Sequence, residues 1–252
     1  MASVIAFANQ KGGVAKTTTV HSLGDAFHEM GRATLVVDLD PQACLTYAMG
    51  FDADALVGTL HDVFADRASA TDVLIVNPDG PDLLPSSIDL SGAEVHLLTK
   101  TGREFVLARA LRPLLGDYAY VLIDCGPSLG ILTINGLTAA GWVAIPFQCD
   151  TLGHRGVRQL LETVGDVRSF TNDDLEVLGG IATMFDGRTR LAHEVLAIVE
   201  EEYGLEVFEP PIPKSVRAAE APGRGRSVLH HARSSKPAVA YRELAKAVEK
   251  AL

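Results

Sequence analysis

Hydrophobic positions fall into two patterns along the chain. Short, nearly continuous apolar runs near residues 3–8, 33–37, 82–85, 119–123, 142–146 and 176–183 are separated by stretches with helical spacing. Runs of that kind mark strands buried on both faces, and strands alternating with helices build βαβ units. The pattern predicts an α/β fold with a mostly parallel, twisted sheet and helices on both faces. After the first run, Val20, Leu23, Phe27 and Met30 recur on one helical face, and Gly31 follows as a stop. Residues 50–80 carry no clear period; they are rich in Asp and Ala and reach NPDGPD (77–82), a turn or surface loop. A last helix over 238–252 sets Val239, Leu244, Val248 and Leu252 near one face, with Glu243, Lys246, Glu249 and Lys250 elsewhere. Its polar side is mixed in charge and rich in alanine, whereas a membrane-surface helix wants a basic side and bulky anchors, so packing on the domain is expected.

Between the first strand and the first helix lies NQKGGVAKTT (9–18). Strand, glycine loop, helix is the order of a phosphate-binding loop, whose backbone amides face an anion at the helix N-terminus. The ordinary pattern, G-x-x-x-x-G-K-[ST], is not met: Gln10 and Ala15 occupy its two glycine positions, and Lys11 is a lysine beyond the one that the loop requires. Two later strands end in acids. Thr34 to Val37 leads into Asp38, Leu39, Asp40, Pro41 and Gln42, and Tyr120 to Ile123 leads into Asp124, Cys125, Gly126 and Pro127. Carboxylates there point into the crevice where an open α/β sheet binds its ligand.

Together KGGVAKTT, VVDLDPQ and VLIDCGPS resemble the deviant Walker A ATPases of the ParA/Soj partition family. So do ILTINGLTAAGWVAIPFQC (131–149), TMFDGRTRL (183–191) and IPKSVRAAEAPGRGR (212–226), in the family's order, so that the likeness covers nearly the whole chain. The resemblance implies a P-loop NTPase fold, ATP and Mg²⁺ as ligands, an ATP-dependent homodimer and a ParB-like activator. It places the phosphates on Lys11, Gly12, Gly13, Val14, Ala15, Lys16, Thr17 and Thr18, and Lys11 matches the lysine that reaches across the dimer to the partner's nucleotide. Two facing nucleotides carry more negative charge than either subunit neutralises alone, which gives a cation supplied in trans a physical reason. By the same likeness Lys16 contacts the β- and γ-phosphates, Thr17 and Asp38 belong to the metal shell, Asp124 holds a metal-bound water, and Asp40 positions the attacking water. Pro213 and Val216 are the implied adenine contacts. An N-K-x-D guanine signature is absent, which favours ATP over GTP. Where many relatives have glycine this chain has Ala15, whose methyl group fits if φ is negative.

With 252 residues, 47% of them apolar, and no dividing linker, the chain is expected to form one domain with a full core, without a helix-turn-helix before the phosphate loop. No apolar run reaches the ~18 residues of a membrane span and no cleavable leader opens the chain, so a cytoplasmic protein is expected, and the resemblance implies that it is nucleoid-associated. Cys44, Cys125 and Cys149 lie far apart without a C-x-x-C pair, and neither a disulfide framework nor a zinc or iron–sulfur site is suggested. The net charge of −10 does not advertise nucleic-acid binding, yet Lys214, Arg217, Arg224, Arg226, Arg233 and Lys236 face one acid, Glu220, between 214 and 236. A local basic stripe can bind phosphates regardless of base sequence. Arg188 and Arg217 match positions that the family uses for non-specific DNA contact, which makes Arg188, Lys214, Arg217, Arg224 and Arg226 the candidate DNA-binding set. The resemblance also leaves open a ParA-like ATPase that positions a protein cargo and a MinD-like ATPase that works on a membrane surface.

Overall fold

In the computed structural model, which describes residues 2–151 and 153–252, six strands form one parallel sheet. They are β1 (Ser3–Phe7), β2 (Thr34–Leu39), β3 (Asp82–Leu84), β4 (Tyr120–Cys125), β5 (Trp142–Gln148) and β6 (Glu176–Thr183), in the order β3-β2-β4-β1-β5-β6. Each expected strand is present. The apolar runs are continuous because successive residues feed two cores. Val4, Ala6, Leu35, Val37, Val121 and Ile123 enter one cluster, while Ile5, Phe7, Val36 and Leu122 enter the other. Helix α1 (Lys16–Glu29) and the C-terminal helix Lys236–Ala251 cover the second face; helices Leu90–Leu97, Ile131–Ala139, Gly153–Phe170 and Arg190–Tyr203 lie over the first.

Strand β4 sits between β2 and β1, so the crossover through α1 skips one strand and brings three carboxyl ends side by side. Asp124 pairs in register with Phe7 on one side and with Asp38 on the other. The phosphate loop after β1 thus opens beside both acidic strand ends, where an α/β sheet binds its ligand.

Two regions differ from the sequence expectation. Within 50–80 the chain forms short helices, Leu60–Phe64 and Ala70–Val73, after α2 (Cys44–Ala48). Their signal is local capping rather than period: Thr59 with Asp62, and Ser69 with Asp72, form capping boxes. In the C-terminal helix, Leu244 and Val248 are buried as expected, but Val239 is 49% exposed. Tyr241 takes that place, fully buried with its hydroxyl 3.2 Å from Thr19 Oγ1 on α1, because Pro237, Ala238, Tyr241, Leu244, Ala245 and Val248 set the true three-and-four spacing. The helix packs on the domain, and among the described residues no helix is long and apolar enough to cross a membrane.

Candidate active site

The phosphate loop is held from both sides before it binds anything. The buried Asn9 amide donates to the Pro146 carbonyl of β5 at 2.8 Å, and its Oδ1 accepts the Lys11 N–H at 2.9 Å. Across the loop, Thr183 Oγ1 at the end of β6 lies 2.9 Å from the Val14 carbonyl and 3.0 Å from that of Phe147. Gly13 turns the chain at φ +73°, and Ala15, the residue before α1, does so at φ +62°. The condition set for Ala15 is therefore not met. Its φ is positive, so the methyl group sits in the left-handed region at a cost of roughly 1–2 kcal/mol, and the loop holds it there all the same.

The two lysines are separated by the fold. Lys16, 7% exposed, arches inward and donates to the carbonyls of Asn9 at 3.0 Å and Lys11 at 3.3 Å. Burial lowers its pKa, and the nearby charges of Asp124 and Asp40 work against that shift. Lys11 stays at the rim, its ammonium 2.5 Å from Asp150 Oδ2. One lysine fills the cradle and the other does not enter it.

The three acids play distinct parts. Asp38 is fully buried; its Oδ2 accepts from the N–H of Thr46 at 2.8 Å and from the Thr46 hydroxyl at 2.7 Å, and its Oδ1 from the N–H of Asp40 at 3.3 Å. Burial raises its pKa to about 6 against the pull of those donors. Its carboxylate thus ties β2 to α2, a structural engagement that the expected place in the metal shell did not include. Asp124 is equally buried, and among the described residues neither of its oxygens has a well-formed hydrogen bond. Desolvation and the in-register Asp38 push its pKa well up, while the Thr17 hydroxyl and Lys16 oppose the shift. Asp40 is partly open to the cleft and accepts the Gln42 N–H at 2.9 Å. A Cβ on Gly126 would lie 3.4 Å from its carboxylate, which places Asp40 over the exit of β4.

Asp124 and Asp40 lie near one buried ammonium, Asp38 stands in register beside Asp124, and two carboxylate oxygens of Asp124, orphaned among the described residues, lie near the Thr17 hydroxyl. This surplus of negative charge fits a divalent cation. Among the described residues no group of three His, Cys, Asp or Glu side chains forms a cage. Mg²⁺ takes few protein oxygens and keeps water and phosphate as its other ligands. A cavity of about 1030 Å³ runs from Gly12, Gly13, Ala15, Lys16, Thr17 and Thr18 past Asp40 to Pro213 and Val216. Six of the eight expected phosphate contacts and both expected base contacts therefore line one space, whereas Lys11 lies outside that lining and Val14 is fully buried.

The candidate basic set is not gathered there. Lys214 lines the cavity, whereas Arg188 is held by Asp186 through two contacts of 2.8 and 2.7 Å, and Arg217 lies 3.2 Å from Glu220. Arg224 and Arg226 are exposed and have no ion pair among the described residues.

Comparison with known proteins shows the family. A family model described as an AAA domain matches residues 2–177. The sporulation initiation inhibitor protein Soj of Bacillus subtilis is 39% identical over 98% of this chain and 98% of its own, and the chromosome partitioning protein ParA of Myxococcus xanthus is 38% identical over 98% and 88%. The chain belongs to the ParA/Soj-type P-loop ATPase family. A crystal structure described as cobyrinic acid a,c-diamide synthase from Mycobacterium smegmatis, with bound ADP and magnesium, shares the fold at a TM-score of 0.89 and 49% identity, covering 99% of this chain and 95% of that one. Apo McdA from Cyanothece shares it at a TM-score of 0.85 and 26% identity, covering 96% and 99%.

Three residues of this ParA/Soj-type site were not singled out from the sequence. Asp150 holds Lys11, Thr183 pins the phosphate loop, and Tyr47 forms part of the cavity wall. Thr183 ends β6 and Asp150 follows the end of β5, the signal already used for the acids; Tyr47 lies one helical turn beyond Ala43 on α2 and carries no such mark.

Proposed function

We propose that this chain is an ATP-switched dimer that binds DNA without sequence preference and segregates chromosome or plasmid DNA with a ParB-like activator. The observation that supports it is the division between the lysines: Lys16 fills its own cradle, and Lys11 waits at the rim on Asp150. A rim cation that its own loop does not use is available to phosphates on a second subunit. In the closed dimer Lys11 leaves Asp150 for the partner's nucleotide, and ATP becomes part of the interface.

Phosphoryl transfer asks mainly for positioning and charge stabilisation. Lys16 and the loop amides hold the β- and γ-phosphates, Thr17 and Asp124 hold Mg²⁺ and its water, and Asp40 orients the attacking water. When bound, Mg²⁺ supplies charge neutralisation between the phosphates. The base lies on Pro213 and Val216. Lys214, Arg217, Arg224, Arg226 and Arg188 contact DNA phosphates, and the exposed pairs with Asp186 and Glu220 exchange readily because surface ion pairs hold weakly.

Light scattering tests the role of the rim lysine. Wild-type protein is expected to double in mass with ATP and Mg²⁺ but not with ADP, Lys11→Ala to bind ATP and remain monomeric, and Lys16→Ala to bind no ATP. A Lys11→Ala protein that forms the full ATP dimer removes the trans role.

A further inference from the structure

One wall of the cavity is built by α2, whose buried residues Leu45, Thr46 and Ala48 face the protein. Cys44 and Tyr47, three residues apart, line the cavity instead. Tyr47 is 62% exposed, and among the described residues its side chain makes no hydrogen bond, ion pair or ring contact. Val216, in the segment lining the other side, is 73% exposed. Both leave apolar surface in water that a flat ring lying between them would cover.

The wall is also firm. Thr46, next to Tyr47, holds the buried Asp38 through two hydrogen bonds. Beyond α2, Gly50 at φ +90° meets Gly225 at φ +61°, and a Cβ on Gly225 would fall 2.8 Å from the Gly50 Cα. Two positive-φ glycines in backbone contact fix α2 against the turn Pro222–Arg224, leaving Tyr47 on a pre-set support. The cavity is polarised as well. Lys16, Thr17 and Asp40 lie at the loop end, and Ile212, Pro213 and Val216 form the apolar part of the other wall, with Lys214 and Ser215 between them. A ligand with a polyanionic tail and a flat aromatic head matches that layout.

We propose that Tyr47 stacks on the base of the bound nucleotide from the α2 side, closing a sandwich whose other face is the Pro213–Val216 segment. This rests on the reading of the cavity as a nucleotide site. The contact is made by the ring, so it is indifferent to base identity and separates nucleoside triphosphates from bare triphosphate.

Calorimetric titration with ATP, GTP and inorganic tripolyphosphate, each with Mg²⁺, tests it on wild type, Tyr47→Ala and Tyr47→Phe. Tyr47→Ala is expected to weaken ATP about tenfold, the worth of one base–aromatic stack, and GTP by the same factor, with tripolyphosphate unchanged. Tyr47→Phe keeps wild-type affinity, and in turnover Tyr47→Ala raises KM with kcat held. Undiminished ATP binding by Tyr47→Ala, or an equal loss of tripolyphosphate, overturns the stacking role. A wild-type protein that binds tripolyphosphate as tightly as ATP overturns it too, and one that binds none of the three overturns the nucleotide reading itself.

Discussion

Two alanines carry backbone conformations that glycine adopts freely. Ala15 has φ +62° at the head of α1, and Ala43 has φ +50° at the head of α2, so two of the helices beside the nucleotide cavity start from a left-handed alanine. Identity alone could not show this. The sequence tells that Ala15 stands in a glycine position, but the sign of φ follows from the hydrogen bonds that hold Val14 and Asn9 on either side. Relief of the left-handed cost, less the greater freedom that glycine gives the unfolded chain, leaves Ala15→Gly more stable by roughly 0.5–1 kcal/mol. Urea denaturation without nucleotide checks it, and an unchanged or lowered midpoint would mean that the loop relaxes to negative φ in solution. The acids show the same limit. Their placement at strand ends was legible, but the capture of Asp38 by Thr46 was not, because it depends on α2 folding back eight residues later.

Strands and long helices were legible because burial on both faces of a parallel sheet writes long apolar runs, and one-sided burial writes helical spacing. The short helices of 50–80 left no period, since one turn of helix is too brief to repeat. One polar contact between elements was invisible in the sequence altogether. Asp25 on α1 is buried with the Ser227 hydroxyl and His230 Nδ1, the latter at 3.2 Å, and His21 Nε2 lies 3.9 Å away. It clasps the basic stretch, at Ser227 and His230, to the helix that begins at the phosphate loop. Burial pushes the Asp25 pKa up, but the hydrogen bond from His230, the charge of His21 and the bond from Ser227 bring it below its ordinary value. His230 is raised by its hydrogen bond to Asp25, with Glu29 assisting and burial and Arg233 opposing, while burial lowers His21. His230 therefore holds its proton more tightly in the folded state. Its stabilisation is fully present below the ordinary pKa of 6.5 and fades as pH rises through the higher folded value. His21 acts in the opposite sense, stabilising above 6.5 and losing its contribution as pH falls. Replacing His230 with Asn removes only the first arm, so His230→Asn should cost more stability near pH 6 than near pH 9. Urea midpoints of both proteins across that range give the comparison, and a penalty independent of pH would show that His230 is held neutral.

At the scale of the whole molecule, a net charge of −10 coexists with a basic stretch from Lys214 to Lys236. That stretch begins in the wall of the nucleotide cavity and touches α2 through Gly225 and Gly50 before it is clasped to α1 at Ser227. The basic segment and the nucleotide thus share supporting elements, and a dimer doubles the number of phosphate contacts that a single chain offers. The distribution of motifs along nearly the whole chain made the family legible from sequence, whereas this shared support arises only in the folded sheet. The decisive measurement is an equilibrium titration of labelled duplex DNA with the wild-type protein at two salt concentrations, in ATP and in ADP. The account predicts firm binding only with ATP, weakening with salt, equal for unrelated duplexes, and with a salt dependence about one unit shallower in Arg217→Glu for the contact it loses. Equal binding in both nucleotide states, or no binding by a protein that dimerises normally with ATP, would contradict it.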